Sequence, residues 1–569
     1  MADLVIRNAH IVDGSGGPAT HGDIAVDGDR ITEVGQVTGS GKREIDADGR
    51  LVTPGWVDIH THYDGQVTWD PEVSPSGWHG VTTVVMGNCG VGFAPVDPPR
   101  RDFLIQLMEG VEDIPGTALA EGMTWNWETF PEYLNEVEAL PRVLDVAALV
   151  PHGAVRAYVM GDEGALEPDA SAEDIAKMRD IVAEALMAGA VGFSTTRTML
   201  HRAKDGNLAA GTNAGADELI GIGDALTSTG RGLVSIASDM WDPASEFEWM
   251  TEIALRSGRP VTFGCLESPI PPDNWRDLIS RADAAREQGA NIVPQVAGKP
   301  ASVLIGFEST LQPFMRHRTY LDIAHLPLAE RVARLQDPAV RRAILDEQVD
   351  LGPLAFVLSN WTRLFPLGDH PDYEPPADAS LAALAAAQGA DPLELAYDVM
   401  LSNEGKGLLY SPLLGYAGGD FEALREMLVN PTTVLGLGDG GAHCGVLCDA
   451  SLPSFMLTHW ARDRERGDRL SLEEVVHHQT RRTAALYGFD DRGLVAPGYL
   501  ADLNVIDFDA LSVPAPEVVY DLPAGGKRYI QGASGYVATI KSGVVVRDHD
   551  EATGERPGTL VRGAQPAPA

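Results

Sequence analysis

The sequence predicts an α/β protein: a closed (β/α)8 barrel of the TIM type, attached to a small β-sandwich made from both chain ends. Three observations predict it. Short β runs bounded by Asp-Gly pairs open the chain, and similar short β runs appear near its other end. Between them, apolar strand-like runs alternate with amphipathic helical stretches, the rhythm of a parallel sheet. The number of such units favours a closed barrel over an open sheet.

Taken in order, Leu4-Val5-Ile6 runs to a turn at Asp13-Gly14, Asp23–Val26 to Asp27-Gly28, and Arg30–Val34 to Gly35. These place the N-terminal part of the sandwich in 1–54. The barrel follows in 55–490. Its strands are Val81–Met86, Val146–Val150, Ala190–Phe193 (after a helix through Ala172 and Leu186), Arg231–Ile236, Pro260–Phe263, Asn291–Pro294 and Thr433–Gly436. That span exceeds the ~250 residues typical of such barrels, so it carries insertions. Two are expected, 97–145 with Trp125, Trp127 and Tyr133, and 360–430 with a Pro-rich stretch at Pro371–Pro376. The aromatics either line an apolar pocket or form the insertion's own small core. Ala501–Ile506, Tyr536–Ile540 and Gly543–Val546 return the chain to the sandwich within 491–550. The tail, 551–569, is rich in Gly, Pro and Ala and is expected to be loosely held.

Composition narrows the function. The 569 residues include 43 Lys and Arg against 82 Asp and Glu, a formal charge of -39. Such a chain repels phosphate backbones and anionic lipid, which excludes nucleic-acid and membrane-surface binding as first readings. Four cysteines are no disulfide framework for this length. No basic segment followed by a long apolar one opens the chain, and no apolar run is long enough to span a bilayer. The expectation is a cytoplasmic metabolic protein whose partner is a small-molecule substrate, with homo-oligomer formation left open.

The most informative segment is Val52-Thr53-Pro54-Gly55-Trp56-Val57-Asp58-Ile59-His60-Thr61-His62. An apolar strand ends in His-x-His. Residues two apart on a strand face the same side, so His60 and His62 both point into the barrel at its C-terminal mouth. Two imidazoles on one side are a metal-ligand arrangement.

Along nearly the whole chain, from the first strands through this segment to the closing Ala496-Pro497-Gly498-Tyr499-Leu500-Ala501-Asp502-Leu503-Asn504-Val505, the sequence resembles the amidohydrolase superfamily. Within it the chain looks most like the N-acyl-D-amino-acid deacylases (D-aminoacylases). The residues that say so are Asp64-Gly65-Gln66, Gly87-Asn88-Cys89-Gly90 and the Gly-Phe-Ser-Thr run at 192–195. The resemblance implies a zinc-dependent hydrolase that cleaves the amide of an N-acyl (D-)amino acid or related N-acyl amide with a metal-activated water. It makes Cys89 a thiolate ligand beside His60 and His62, in a chain with no lysine at a plausible strand end to bridge two metals. It also makes Asp439, in Gly438-Asp439-Gly440-Gly441, the general acid/base. A carboxylate there accepts the water's proton and passes it to the departing nitrogen.

The pattern also breaks. The resemblance calls for two further ligand histidines at the ends of the fifth and sixth strands. Asp239 and Cys265 stand there, both able to bind zinc, with Asp242 and Glu267 as neighbouring alternatives. His152 and His201 follow strands and could contact substrate. Where the resembled deacylases hold the substrate carboxylate with a lysine, this chain has Glu267, and Arg197, Arg202 and Lys299 are the nearest other cations. Neutral N-acyl amides are therefore expected to compete with free N-acyl amino acids. Two alternatives stand beside this reading. One is a cyclic-amide hydrolase of the hydantoinase or dihydropyrimidinase type, against which the missing lysine argues. The other is a barrel that binds a ligand without catalysis, prompted by the missing histidines.

Overall fold

The computed structural model describes residues 1–568. Eight parallel strands lie side by side: Trp56–Asp58, Val81–Met86, Asp145–Pro151, Gly192–Arg197, Val234–Ser238, Val261–Gly264, Ile292–Val296 and Val434–Leu435. The two edges meet past their ends. Thr61 bridges Gly440 in parallel, and the His62 amide donates to the Gly440 carbonyl at 2.8 Å. The sheet thus closes into the barrel. Its strands read as continuous β-branched and apolar runs because both faces are covered; every residue of Val81–Met86 is buried. The helices between them carry ordinary signals. Ala172–Ala188, for example, starts where the Ser171 side chain accepts from the Asp174 amide, ends at Gly189, and buries Met178, Val182, Ala185 and Leu186.

The first insertion holds the helices Arg101–Glu112, Gly116–Gly122 and Phe130–Ala139. Trp127 and Tyr133 are buried in the same hydrophobic cluster as the barrel, with Trp125 packed against it. Their polar tips are satisfied there, Trp127 on the Phe93 carbonyl at 2.8 Å and Tyr133 on the Asp64 carbonyl at 2.9 Å. The aromatics therefore extend the barrel core and form no separate one.

The second insertion is larger than the sequence suggested. It begins directly after Ile292–Val296, with an antiparallel sheet of Ala301–Ile305, Leu408–Leu414 and Phe365–Leu367. This insertion has its own core, including Phe307, Phe314, Tyr320, Tyr397 and Leu409.

Strands from both chain ends join one nine-stranded sheet. Leu51–Pro54 is the seam, parallel to Ala2–Ile11 on one side and antiparallel to Leu503–Ile506 on the other. The tail is a correction. Residues 558–565 are not loose but lie along the barrel. Val146 donates to the Thr559 carbonyl at 3.0 Å, Val561 to the Val146 carbonyl at 2.8 Å, and Gln565 to the Gly488 carbonyl at 2.8 Å. Leu560 and Val561 supply the apolar burial that its composition obscured. Among the described residues, no helix is long and apolar enough to cross a membrane.

Candidate metal centre and active site

The first strand ends at Asp58, two residues before His60. Neighbours keep the chain extended beyond it. The His60 amide donates to Asp58 Oδ1 at 3.1 Å, and the Thr61 amide to the Val85 carbonyl at 3.0 Å. Asn88 then ties this segment to the turn after the second strand, donating to the carbonyls of Thr61 at 3.3 Å and Val85 at 3.0 Å. That turn needs glycine at 87, where φ is +84° and a Cβ would sit 2.4 Å from the Leu149 carbonyl oxygen. Cys89 follows at φ +56°, and Asp439 and His443 lie at φ +44° and +53°. Non-glycine residues in this region cost about 1–3 kcal/mol each and cluster at functional sites.

The side chains converge. One ligand atom from each of His60, His62 and Cys89 lies within 4.8 Å of the others. His60 Nε2 is 3.3 Å from Cys89 Sγ. Asp439 Oδ1 is 3.5 Å from His60 Nε2 and 3.6 Å from His62 Nε2. Behind them, His60 Nδ1 meets Gln295 Oε1 at 3.0 Å, and His62 Nδ1 lies 3.3 Å from Glu112 Oε1. Both ring nitrogens of the buried His62 lack a hydrogen-bond partner. Buried polar atoms are rarely left so, and two imidazoles with a thiol are a nitrogen and sulfur donor set that suits zinc.

Charge at the site is strongly coupled. Burial opposes a charged His62, but Glu112, Asp439 and Cys89 hold its pKa well above the usual value. Burial likewise opposes the Asp439 carboxylate, yet His62, His60 and His443 hold it well below the usual range. Asp439 is thus an ionised acceptor. Burial pushes the Cys89 thiol up to about 11, so a thiolate there forms together with a bound cation. Burial and the charges of His443 and His62 push His201 down to about 3, and its Nδ1 meets Thr196 Oγ1 at 2.8 Å.

The remaining sequence candidates lie elsewhere or are already paired. Asp239 and Cys265 are not in the ligand group. The Asp239 carboxylate accepts from Thr198 Oγ1 at 2.5 Å, the Met199 amide at 2.8 Å and Trp241 Nε1 at 3.0 Å. Cys265 is buried, with its amide on the Gln295 carbonyl at 2.7 Å. Glu267 anchors a turn of the second insertion, accepting from the Ala417 amide at 2.7 Å. His152 has both nitrogens taken, by Thr195 Oγ1 at 2.9 Å and Glu218 Oε1 at 2.8 Å. Arg197 is held by Glu246 at 2.7 Å and Lys299 by Asp449 at 2.6 Å, while Arg202 donates to the Gly206 carbonyl at 2.9 Å. Two neighbours of the ligand group escaped sequence reasoning. Gln295 gave a faint signal, a polar residue within the apolar seventh strand. Glu112 gave none, because nothing in its spacing ties an inserted helix to the barrel mouth.

Comparison with known proteins agrees with this architecture. N-acyl-D-aspartate deacylase from Alcaligenes xylosoxydans xylosoxydans is 29% identical over 570 residues, covering 99% of this chain and 95% of the relative. D-aminoacylase from the same organism is 27% identical over 566 residues, covering 98% of this chain and 97% of the relative. A crystal structure of D-aminoacylase has the same fold, with TM-score 0.65 and 23% identity over 99% of this chain and 100% of that one. So does N-acyl-D-glutamate deacylase from Bordetella bronchiseptica, complexed with zinc and a phosphonate mimic of the tetrahedral intermediate, with TM-score 0.63 and 23% identity over 99% of each chain. The model of the amidohydrolase family matches residues 43–547, from the last strands of the N-terminal segment into the returning strand Val544–Asp548. The chain belongs to the amidohydrolase family.

Proposed function

We propose that the protein is a zinc-dependent amidohydrolase that cleaves the amide bond of an N-acyl-D-amino acid or a related N-acyl amide. The observation that carries it is Asp439 Oδ1 lying 3.5 and 3.6 Å from two imidazoles of a buried His60, His62 and Cys89 group. The relatives, named as deacylases of N-acyl-D-amino acids, support the substrate class.

In this reading His60, His62 and Cys89 hold the metal. When bound, zinc supplies the Lewis acidity that activates water at neutral pH. Asp439 Oδ1 takes the proton of the attacking water and delivers it to the leaving nitrogen, which is otherwise a very poor leaving group. His201, kept neutral, offers its free ring nitrogen to the substrate. Asp239 and Cys265 do not join the same group, which supports one tightly held ion.

The same reading treats 55–490 as the catalytic barrel with its insertions. It treats 1–54 and 491–550 as one β-sandwich, supported by a shared core in which Ile6, Ile24, Val52, Val505 and Ile540 pack together. It places the enzyme in the cytoplasm, supported by four free cysteines.

The test is a hydrolysis screen of the zinc-supplemented protein against N-acyl-D-amino acids, their L forms and their carboxamides. Turnover of N-acyl-D substrates is expected. Turnover restricted to cyclic amides, or none by the metallated protein, would overturn the proposal.

A further inference from the structure

Glu112 is the last residue of the helix Arg101–Glu112 and is 1% exposed. A carboxylate at a helix C-terminus faces the negative end of the helix dipole, and a buried charge without a partner is costly. Among its ion-pair partners there is no lysine or arginine. Its Oε1 lies 3.3 Å from His62 Nδ1 and its Oε2 3.4 Å from His443 Nε2. Two imidazoles from opposite sides of the barrel seam are its counter-groups.

The pattern around the paired histidines explains why. Both Nε2 atoms converge on Asp439 Oδ1. Each Nδ1 atom instead lies near one oxygen. For His60 that oxygen is the neutral Gln295 amide at 3.0 Å; for His62 it is the Glu112 carboxylate. A back-side acceptor fixes a histidine's tautomer and ring orientation and raises its basicity toward a metal. The neighbouring residue reinforces the arrangement. Asp113 Oδ2 accepts from the Gly445 amide at 2.9 Å and from Thr310 Oγ1 at 3.0 Å. The Glu112-Asp113 corner thus clips the loop that carries Asp439 and His443, and joins it to the second insertion.

We infer that Glu112 is a positioning residue for the metal centre: its carboxylate stands against Nδ1 of His62, favours the tautomer protonated there and so leaves Nε2 to the metal, and it pairs with His443 on the loop that carries Asp439. The inserted helix is then part of the site. The inference rests on the zinc reading above and deepens it.

The experiment compares zinc affinity, by chelator competition, in full-length wild type, Glu112→Gln and His443→Gln, alongside thermal unfolding of the metal-free proteins. Glu112→Gln keeps the volume and removes the charge. The expected result is zinc binding weaker by about 10–100-fold in a variant whose cooperative unfolding shows that it remains folded. His443→Gln is expected to keep its zinc affinity, since His443 lies outside the His60, His62 and Cys89 group. Selective 15N-histidine spectra of zinc-loaded wild type are expected to show His62 protonated at Nδ1, a readout that needs no variant to fold. Unchanged zinc affinity in folded Glu112→Gln, or a metal on His62 Nδ1, would overturn the inference alone. A wild type that holds no zinc would overturn the functional reading and this inference with it.

Discussion

At the scale of single residues, the site depends on which atoms face Asp439. Its Oδ1 stands within 3.6 Å of two imidazoles and remains ionised despite burial. Asp439→Asn keeps the shape and removes the basic oxygen. Turnover is expected to fall by about 10²–10⁴ with metal content retained, and a steady-state assay on metallated protein checks this. Glu267 gives a second prediction. Its carboxylate is spent on the Ala417 amide, so it anchors a turn and does not face a substrate carboxylate freely. Glu267→Gln is expected to shift the ratio of kcat/KM between an N-acyl amino acid and its carboxamide less than threefold, as judged against about 0.6 kcal/mol of thermal energy. His60 and His62 were legible because a period of two on a strand leaves a mark in sequence, whereas Cys89 and Asp439 were singled out only through the family resemblance. Glu112 was not, since the contact between an inserted helix and the barrel mouth is made only in three dimensions.

At the scale of elements, apolar β-branched runs announced the barrel strands well. Val81–Met86 forms as read, because a strand buried on both faces is nearly uniform in composition. The insertions were harder. The antiparallel sheet of the second insertion pairs Ala301–Ile305 with Leu408–Leu414, more than a hundred residues apart, and no local pattern reports such a partner. That insertion's separate core predicts separate behaviour. Tyr397 is fully buried there and donates to the Leu335 carbonyl at 2.7 Å. Tyr397→Ala is expected to cost about 3–5 kcal/mol locally, as for other large aromatics. Hydrogen exchange should then rise across 297–433 while the barrel strands keep their protection. Equal loss of protection throughout would mean that the two cores unfold as one.

At the scale of the whole molecule, buried ion pairs join parts distant in sequence. Lys541 of the terminal sheet and Arg492 both reach Asp145 of the third barrel strand, at 3.0 and 2.8 Å. Burial opposes the Asp145 charge, but Lys541 and Arg492 hold its pKa below the ordinary value. Burial opposes Glu218 in the same way, yet hydrogen bonds from His152 and Arg156 draw it down to about 2. Groups depressed on folding stabilise the native state above their ordinary pKa, and that contribution is lost as pH falls toward the folded value. The contribution of these groups to the urea midpoint is therefore expected to fall from about pH 4.5 toward pH 2. Glu218→Gln should be less stable at neutral pH, with a flatter fall in acid. A wild-type midpoint that does not change across that window would contradict the assignment. The two-ended sheet itself was legible from short β runs at both chain ends, but the tail was not, since composition conceals how Leu560 and Val561 dock on the barrel.

All of this converges on one chemical claim, that His60, His62 and Cys89 form a zinc site. Elemental analysis of purified protein grown with supplemented zinc tests it most directly, with His62→Ala and Cys89→Ser run in parallel. The account predicts about one zinc per wild-type chain and its loss from both variants while they remain folded. A folded wild type without transition metal, or variants that keep the full complement, would contradict it.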